Sequence, residues 1–194
     1  MRRPVAILAL GAATAATLAM PAGAGAACPQ TPKADHCVGT AGNDTIATLG
    51  GDDTILALAG DDTVDGGAGD DVISGFAGAD LLIGGDGNDR LFGATGADRL
   101  RGDAGNDKLA GNEDADTLTG GLGNDDMDGG AGADTMTGGG GRDRMVGKAG
   151  NDRLDGGASA DNLDGGIGND RESGGTGNDV VAGGCPYGSR QALR

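Results

Sequence analysis

The chain has 194 residues, of which 44 are glycine, and a formal net charge of −16. Aromatic residues make up 2% and tryptophan is absent, which excludes an ordinary globular core. The acidity excludes nucleic acid as a partner, because phosphate recognition needs a basic face.

The first segment, residues 1–27, differs in composition from everything after it. Arg2 and Arg3 form a short basic start, Val5 to Met20 is an apolar stretch rich in Ala and Leu, and Pro21 breaks it before small residues run to Ala27. This is the layout of a secretory signal peptide, with cleavage placed after Ala26 or Ala27. The stretch is too short and too Ala-rich for a membrane span, so no span is expected after cleavage. The sequence thus predicts a secreted, extracellular protein, free or associated with the cell surface. Outside the cell, calcium near millimolar levels would load modules of modest affinity.

Residues 28–38 carry Cys28, Cys37 and the single histidine, His36. Three cysteines suit an oxidising compartment. Cys28 and Cys37 flank a short loop containing Pro29 and Pro32 and are close enough in sequence to pair. Cys185 lies beyond the repeats described next, at the far end of any stacked rod, so bridge geometry excludes its pairing with Cys37. It is left free or intermolecular.

From Gly39 to Ala182 the chain repeats every nine residues, sixteen times, without insertion or deletion. The unit reads G-G-x-G-x-D-x-U-x, with U a large apolar residue. Position four is Gly in fourteen repeats, and position eight is Ile, Leu, Val or Met in fifteen. Position six is always aspartate: Asp44, Asp53, Asp62, Asp71, Asp80, Asp89, Asp98, Asp107, Asp116, Asp125, Asp134, Asp143, Asp152, Asp161, Asp170 and Asp179. Residues 183–194 form a short, mildly basic tail.

Within each unit, x-U-x predicts a three-residue strand with one inward side chain. The six residues G-G-x-G-x-D predict the turn, where glycine permits left-handed angles and close approach to an ion. Two units close one coil, so sixteen give about eight coils of parallel strands, roughly 38 Å in length at the usual strand spacing. The fold class is therefore all-β, a parallel β-solenoid. Its interior is expected to be two ladders. One runs Ile46, Val64, Leu82, Leu100, Leu118, Met136, Leu154 and Glu172; the other runs Ile55, Ile73, Leu91, Leu109, Met127, Met145, Leu163 and Val181. This core is too thin to offset the ordering of so glycine-rich a chain. A divalent cation is expected to close the gap.

Calcium accepts six to eight oxygens from carboxylates and carbonyls. Stacked turns belong to repeats n and n+2, so a site pairs Asp44 with Asp62, or Asp53 with Asp71, and so on. Eight turns on each edge leave seven gaps, allowing up to about fourteen ions. A merely solvated acidic face would scatter its charges. Here sixteen of 28 aspartates share one phase. Four substitutions are expected to disturb the turns: Thr48-Leu49 and Ala57-Leu58 in place of Gly-Gly, and Asp114 and Ser159 in place of the position-four glycine. The last two bring the sites of Asp116 and Asp161 into question.

Two runs carry a family likeness: Gly84-Gly85-Asp86-Gly87-Asn88-Asp89-Arg90-Leu91 and Gly174-Gly175-Thr176-Gly177-Asn178-Asp179-Val180-Val181. They resemble hemolysin-type (RTX) calcium-binding repeats. That resemblance implies a right-handed parallel β-roll, calcium held between turns, and disorder without calcium. It does not extend to export route, toxin or protease activity, since the chain starts with an N-terminal signal and contains no H-E-x-x-H. No G-x-S-x-G elbow or G-K-[ST] phosphate loop occurs, and His36 lacks catalytic partners. The expectation is a non-enzymatic calcium binder with a structural or interaction role. The alternative is binding of polysaccharide or ice, or adhesion, through the solenoid faces, where Thr117-Leu118-Thr119 and Thr135-Met136-Thr137 stack one above the other and Leu56, Ile83 and Phe92 are expected as exposed contact points for adhesion.

Overall fold

The computed structural model describes Cys28 and residues 31–182. The expected signal segment 1–27, Cys185 and the tail 183–194 lie outside the described residues.

Seventeen strands follow one another, and no helix occurs among the described residues. Strands β1 (His36–Val38) and β2 (Thr45–Ala47) have three residues. Strands β3 (Thr54–Ala59) to β14 (Arg153–Ala158) have six each and start at nine-residue intervals. Strands β15 (Asn162–Asp164), β16 (Arg171–Ser173) and β17 (Val180–Ala182) have three again. Odd-numbered strands form a nine-stranded sheet and even-numbered strands an eight-stranded one. Every pairing is parallel and offset by eighteen residues, as in Leu118 against Met136. Two repeats therefore make one coil of a parallel β-solenoid, as the period predicts.

The strands are longer than x-U-x. In the twelve central ones pairing runs through positions seven to nine, skips position one, and resumes at positions two and three: Thr119 with Thr137, then Gly121 with Gly139. The reason is a corner at position two. Glycines there have left-handed φ, such as Gly85 at 113° and Gly121 at 119°. The chain bends without losing its neighbour, and the true turn shrinks to positions four to six. That turn is also laddered, with Gly69 N–H donating to Asp86 O at 2.7 Å and Val72 N–H to Asp53 O at 2.9 Å.

Side chains replace glycine at this corner without changing it. Leu58, Phe76, Ala94, Asp103, Asn112 and Lys148 all keep φ between 71° and 87°. At position four, Asp114 (73°) and Ser159 (88°) do the same. Ala57-Leu58, Asp114 and Ser159 therefore preserve the backbone path that the sequence suggested they would disturb. Each side chain there carries strain of about 1 kcal/mol or more. Ala94→Gly is thus expected to raise stability by about 0.5–1 kcal/mol in thermal melts, since Ala94 packs no core contact that glycine would lose.

Position eight builds the core. From Ile46 to Leu163 its residues are 0–2% exposed. The ladder starts one rung earlier than expected: Cys37 pairs with Ile55 and is fully buried. Asp35 and Cys37 stand nine residues before Asp44 and Ile46, so the repeat phase begins inside segment 28–38. Cys37 is bridged to Cys28, with Cα atoms 5.1 Å apart, in agreement with the local pairing. The far end is less closed. Val181 pairs with Leu163 but remains 40% exposed, contrary to its expected place in the core. Glu172 is half-buried and accepts the Gly165 N–H at 2.6 Å. Burial pushes its carboxyl above the usual range.

Candidate metal centres at the stacked turns

Position six ends each turn, and the solenoid stacks these residues in two columns, one on each edge. From Asp44 to Asp161 the aspartates are 0–4% exposed, while Asp170 and Asp179 are half-buried. Their orientation follows one rule. From Asp53 to Asp179, Oδ1 of each aspartate accepts the backbone N–H of the aspartate eighteen residues earlier: Asp53 N–H to Asp71 at 2.8 Å, Asp89 to Asp107 at 2.9 Å, Asp143 to Asp161 at 2.9 Å. The sites in question fall in line, since Asp98 N–H reaches Asp116 Oδ1 at 2.8 Å. Asp35 joins one column as an additional turn by donating to Asp53 at 2.6 Å.

The other oxygen is left over. Oδ2 of thirteen of these aspartates, Asp53 to Asp161, is buried without a hydrogen-bond partner. A buried, unpaired carboxylate oxygen is costly, and native proteins rarely leave one. Thirteen in the same orientation describe a design. From Asp71 to Asp161 the space beside Oδ2 is kept open by the position-one glycine, while Thr48 and Ala57 take that place before Asp53 and Asp62. A Cβ on Gly102 would overlap Asp107 Oδ2 and would lie 2.7 Å from Gly120 O of the next coil. Position four is as tight, because a Cβ on Gly87 would overlap Gly69 O. Each gap thus gathers carboxylate and carbonyl oxygens from two successive coils, and at most of these positions glycine leaves the room they need.

This donor set is made of hard oxygens. Among the described residues no three His, Cys, Asp or Glu side chains converge to hold a metal. A cation here would take one carboxylate per turn and complete its shell with carbonyls, which suits calcium better than the softer transition metals.

Burial governs the electrostatics of these carboxyls. Burial pushes Asp71 and Asp116 up to about 7, partly offset by the N–H groups of Asp53 and Asp98. It pushes Asp89, Asp98, Asp107, Asp125, Asp143 and Asp152 up to about 6. Asp62, Asp80, Asp134 and Asp161 move the same way for the same reason.

The first turn of each column is different. Asp35 Oδ2 accepts the N–H and hydroxyl of Thr31, at 3.2 and 3.1 Å. Asp44 Oδ2 accepts the N–H and hydroxyl of Thr40, at 2.6 and 3.0 Å. Threonine at position two therefore satisfies the oxygen that later turns leave open.

A second ladder was not anticipated. At position five, Asn or Asp accepts from the following coil, the reverse of the position-six direction. Asn106 N–H and Nδ2 donate to Asn88 Oδ1 at 3.0 and 3.1 Å, and Asn124 repeats this on Asn106 at 2.8 and 3.1 Å. The Asn88 donors also hold Asp70 below the usual carboxylate range. The sequence carried a signal, because ten of the sixteen repeats have Asn or Asp at position five. On one edge the ladder runs unbroken from Asp52 to Asn124, which accepts the Arg142 N–H, and stops at Arg142. On the other it is interrupted by Ala79, Ala97, Ala115 and Ala133. Asn106→Ala removes a side-chain acceptor and a donor, and a loss of about 1 kcal/mol is expected in denaturant melts.

A family model described as an RTX calcium-binding nonapeptide repeat matches this chain in four copies, at residues 38–73, 74–109, 101–136 and 137–172. No curated protein matches the chain as a relative.

Proposed function

We propose, from the premise that this chain belongs to the RTX calcium-binding nonapeptide repeat family, that calcium between its stacked turns is part of the fold itself. The repeats are calcium-binding, and their parallel solenoid is a structural module. The proposal goes further in three respects. The position-six aspartates are the side-chain ligands, at neutral pH the chain acquires its coils only as ions bind, and it acts outside the cell in a structural or interaction role.

The observation that carries this is the set of unpaired, buried Oδ2 atoms from Asp53 to Asp161. A dication beside each would neutralise the carboxylate and restore the lost coordination, using carbonyls at positions one and four. Asp44 differs because Thr40 already engages its Oδ2. Asp170 and Asp179, at the far end, are less enclosed. The N-terminal layout of residues 1–27 supports export into a calcium-rich medium. No described helix is long and apolar enough to cross a membrane.

The alternative face-binding reading gains little. Thr117 and Thr119 do pair with Thr135 and Thr137. The neighbouring rungs, however, carry Arg99 and Arg101 on one side and Arg153 and Asp155 on the other. Two rungs of threonine make a short ladder.

Circular dichroism during calcium titration tests the proposal. At pH about 7.5, where most of the carboxylates are ionised, sheet signal is expected to appear cooperatively with calcium and to vanish with chelator. An unchanged sheet spectrum in excess chelator at that pH would refute it.

A further inference from the structure

Fifteen of the sixteen repeats carry Ile, Leu, Val or Met at position eight, and the exception is Glu172. It stands on β16, which ends the eight-stranded sheet, and pairs with Leu154. An apolar side chain there would cover Leu154. Glutamate instead reaches back to its own turn, where Oε1 accepts the N–H of Gly165, the position-one glycine of the same repeat.

The point it reaches has a fixed composition in the earlier turns. A Cβ on each position-one glycine from Gly93 to Gly156 would meet Oδ2 of the aspartate five residues on. It would also lie 2.5–3.0 Å from the carbonyl oxygen of the glycine eighteen residues on. At Gly165 the same point lies 2.7 Å from Asp170 Oδ2 and 2.6 Å from Glu172 Oε1. An oxygen of Glu172 therefore stands where a neighbouring coil's carbonyl stands elsewhere. At Gly174, in the last repeat of the other edge, the three nearest atoms all belong to Asp179, and position eight is Val181. The two edges end differently.

Two carboxylates aimed at one point repel each other unless a proton or a cation lies between them. No Lys or Arg of the described residues pairs with either. The ion pairs there are Arg101–Asp103, Arg144–Asp126 and Lys148–Asp128. From this geometry we infer that Glu172 is a calcium ligand, and that with Asp170 it makes a terminal site of two carboxylates. The inference rests on the proposal that calcium sits between the turns. It adds a ligand that the repeat formula does not contain, and a site whose second oxygen comes from its own repeat rather than from a further coil. An interior gap offers one carboxylate per turn and neutral carbonyls. Here a hard dication meets two charges within one repeat, which strengthens its hold. Binding there fastens β16 to the turn that precedes it and fixes the end of the solenoid on that edge.

A residue that merely capped the open rung would need only a hydrogen-bond acceptor, and glutamine would serve as well. Charge separates the two roles. Hydrogen exchange read by mass spectrometry on the full chain, through a calcium titration at pH about 7.5 where carboxylates are ionised, provides the test. In wild type, protection of residues 165–173 is expected to rise with calcium. Glu172→Gln keeps an acceptor for the Gly165 N–H and is expected to raise the midpoint for that segment about 10-fold. The segment from β8 (Arg99–Ala104) to β12 (Thr135–Gly140) should stay within about 2-fold of wild type, because each coil of a solenoid contacts only its neighbours. Glu172→Leu restores apolar cover over Leu154 and is nevertheless expected to raise the 165–173 midpoint as well. A Glu172→Gln midpoint equal to wild type overturns the inference, as does a Glu172→Leu midpoint below it. A shift of equal size from β8 to β12 overturns it too, since the lost contribution would then be general stability. Wild-type exchange that ignores calcium in every segment would refute the functional proposal, and this inference with it.

Discussion

Asp107→Asn is expected to raise the calcium concentration at half-folding about 10-fold and to lower stability in saturating calcium by about 1–3 kcal/mol. Asp107 is buried, its Oδ1 accepts the Asp89 N–H at 2.9 Å, and its Oδ2 faces the gap kept open by Gly102. The amide keeps the volume and the Oδ1 acceptor, so the coil itself is not cut. It removes the negative charge and the second oxygen, which are what a dication would use. In chelator near pH 4.5, where the carboxyl is protonated, the variant and the wild type are neutral isosteres. Their difference should then shrink to within a few tenths of a kcal/mol. Thermal melts in both conditions separate the readings. An equal loss in calcium and in acid chelator would make Asp107 a packing residue and remove it as a ligand.

The second large effect is a reversal of pH dependence by calcium. Without metal, burial raises the carboxyls of Asp71 and Asp116 to about 7 and six others to about 6, against 3.8 in the open chain. The folded state then binds more protons than the unfolded state between those values. Its stability from these groups is fully present below 3.8 and is lost as pH rises through 6 to 7. In chelator, sheet signal is therefore expected to grow as pH falls from about 8 to about 5. With calcium bound the carboxylates must be ionised, protons compete with the ion, and stability falls over the same range. Two spectroscopic titrations check this. Parallel pH profiles with and without calcium would mean that the buried carboxylates are not the ion's ligands.

Both effects depend on an orientation that no single repeat contains. The column of sixteen aspartates could be read from the period alone, and so could the enrichment of Asn and Asp at position five. Which oxygen meets which N–H could not. Asp89 and Asp107 are eighteen residues apart and meet only because two corners and two turns return the chain to the same edge. The same holds for Thr40, which looks like a variant of position two until its hydroxyl is seen on Asp44.

What the sequence determined by itself is the lattice: a nine-residue period without gaps, hence two repeats per coil, parallel strands, and inward ladders from Ile46 to Leu163. These follow because strand geometry sends each phase of the repeat to a fixed side. Tertiary structure decided three further features. It extended the strands through position two, since a left-handed corner at Leu58, Phe76 or Lys148 preserves pairing where local reading sees only lost glycine. It started the core at Cys37, which Cys28 covers at the open end of its sheet, and left Val181 open, because among the described residues nothing covers the last rung. It also divided the two oxygens of each aspartate, one to a backbone N–H and one to the gap, because that division depends on the rise between coils, a distance that does not appear along the chain.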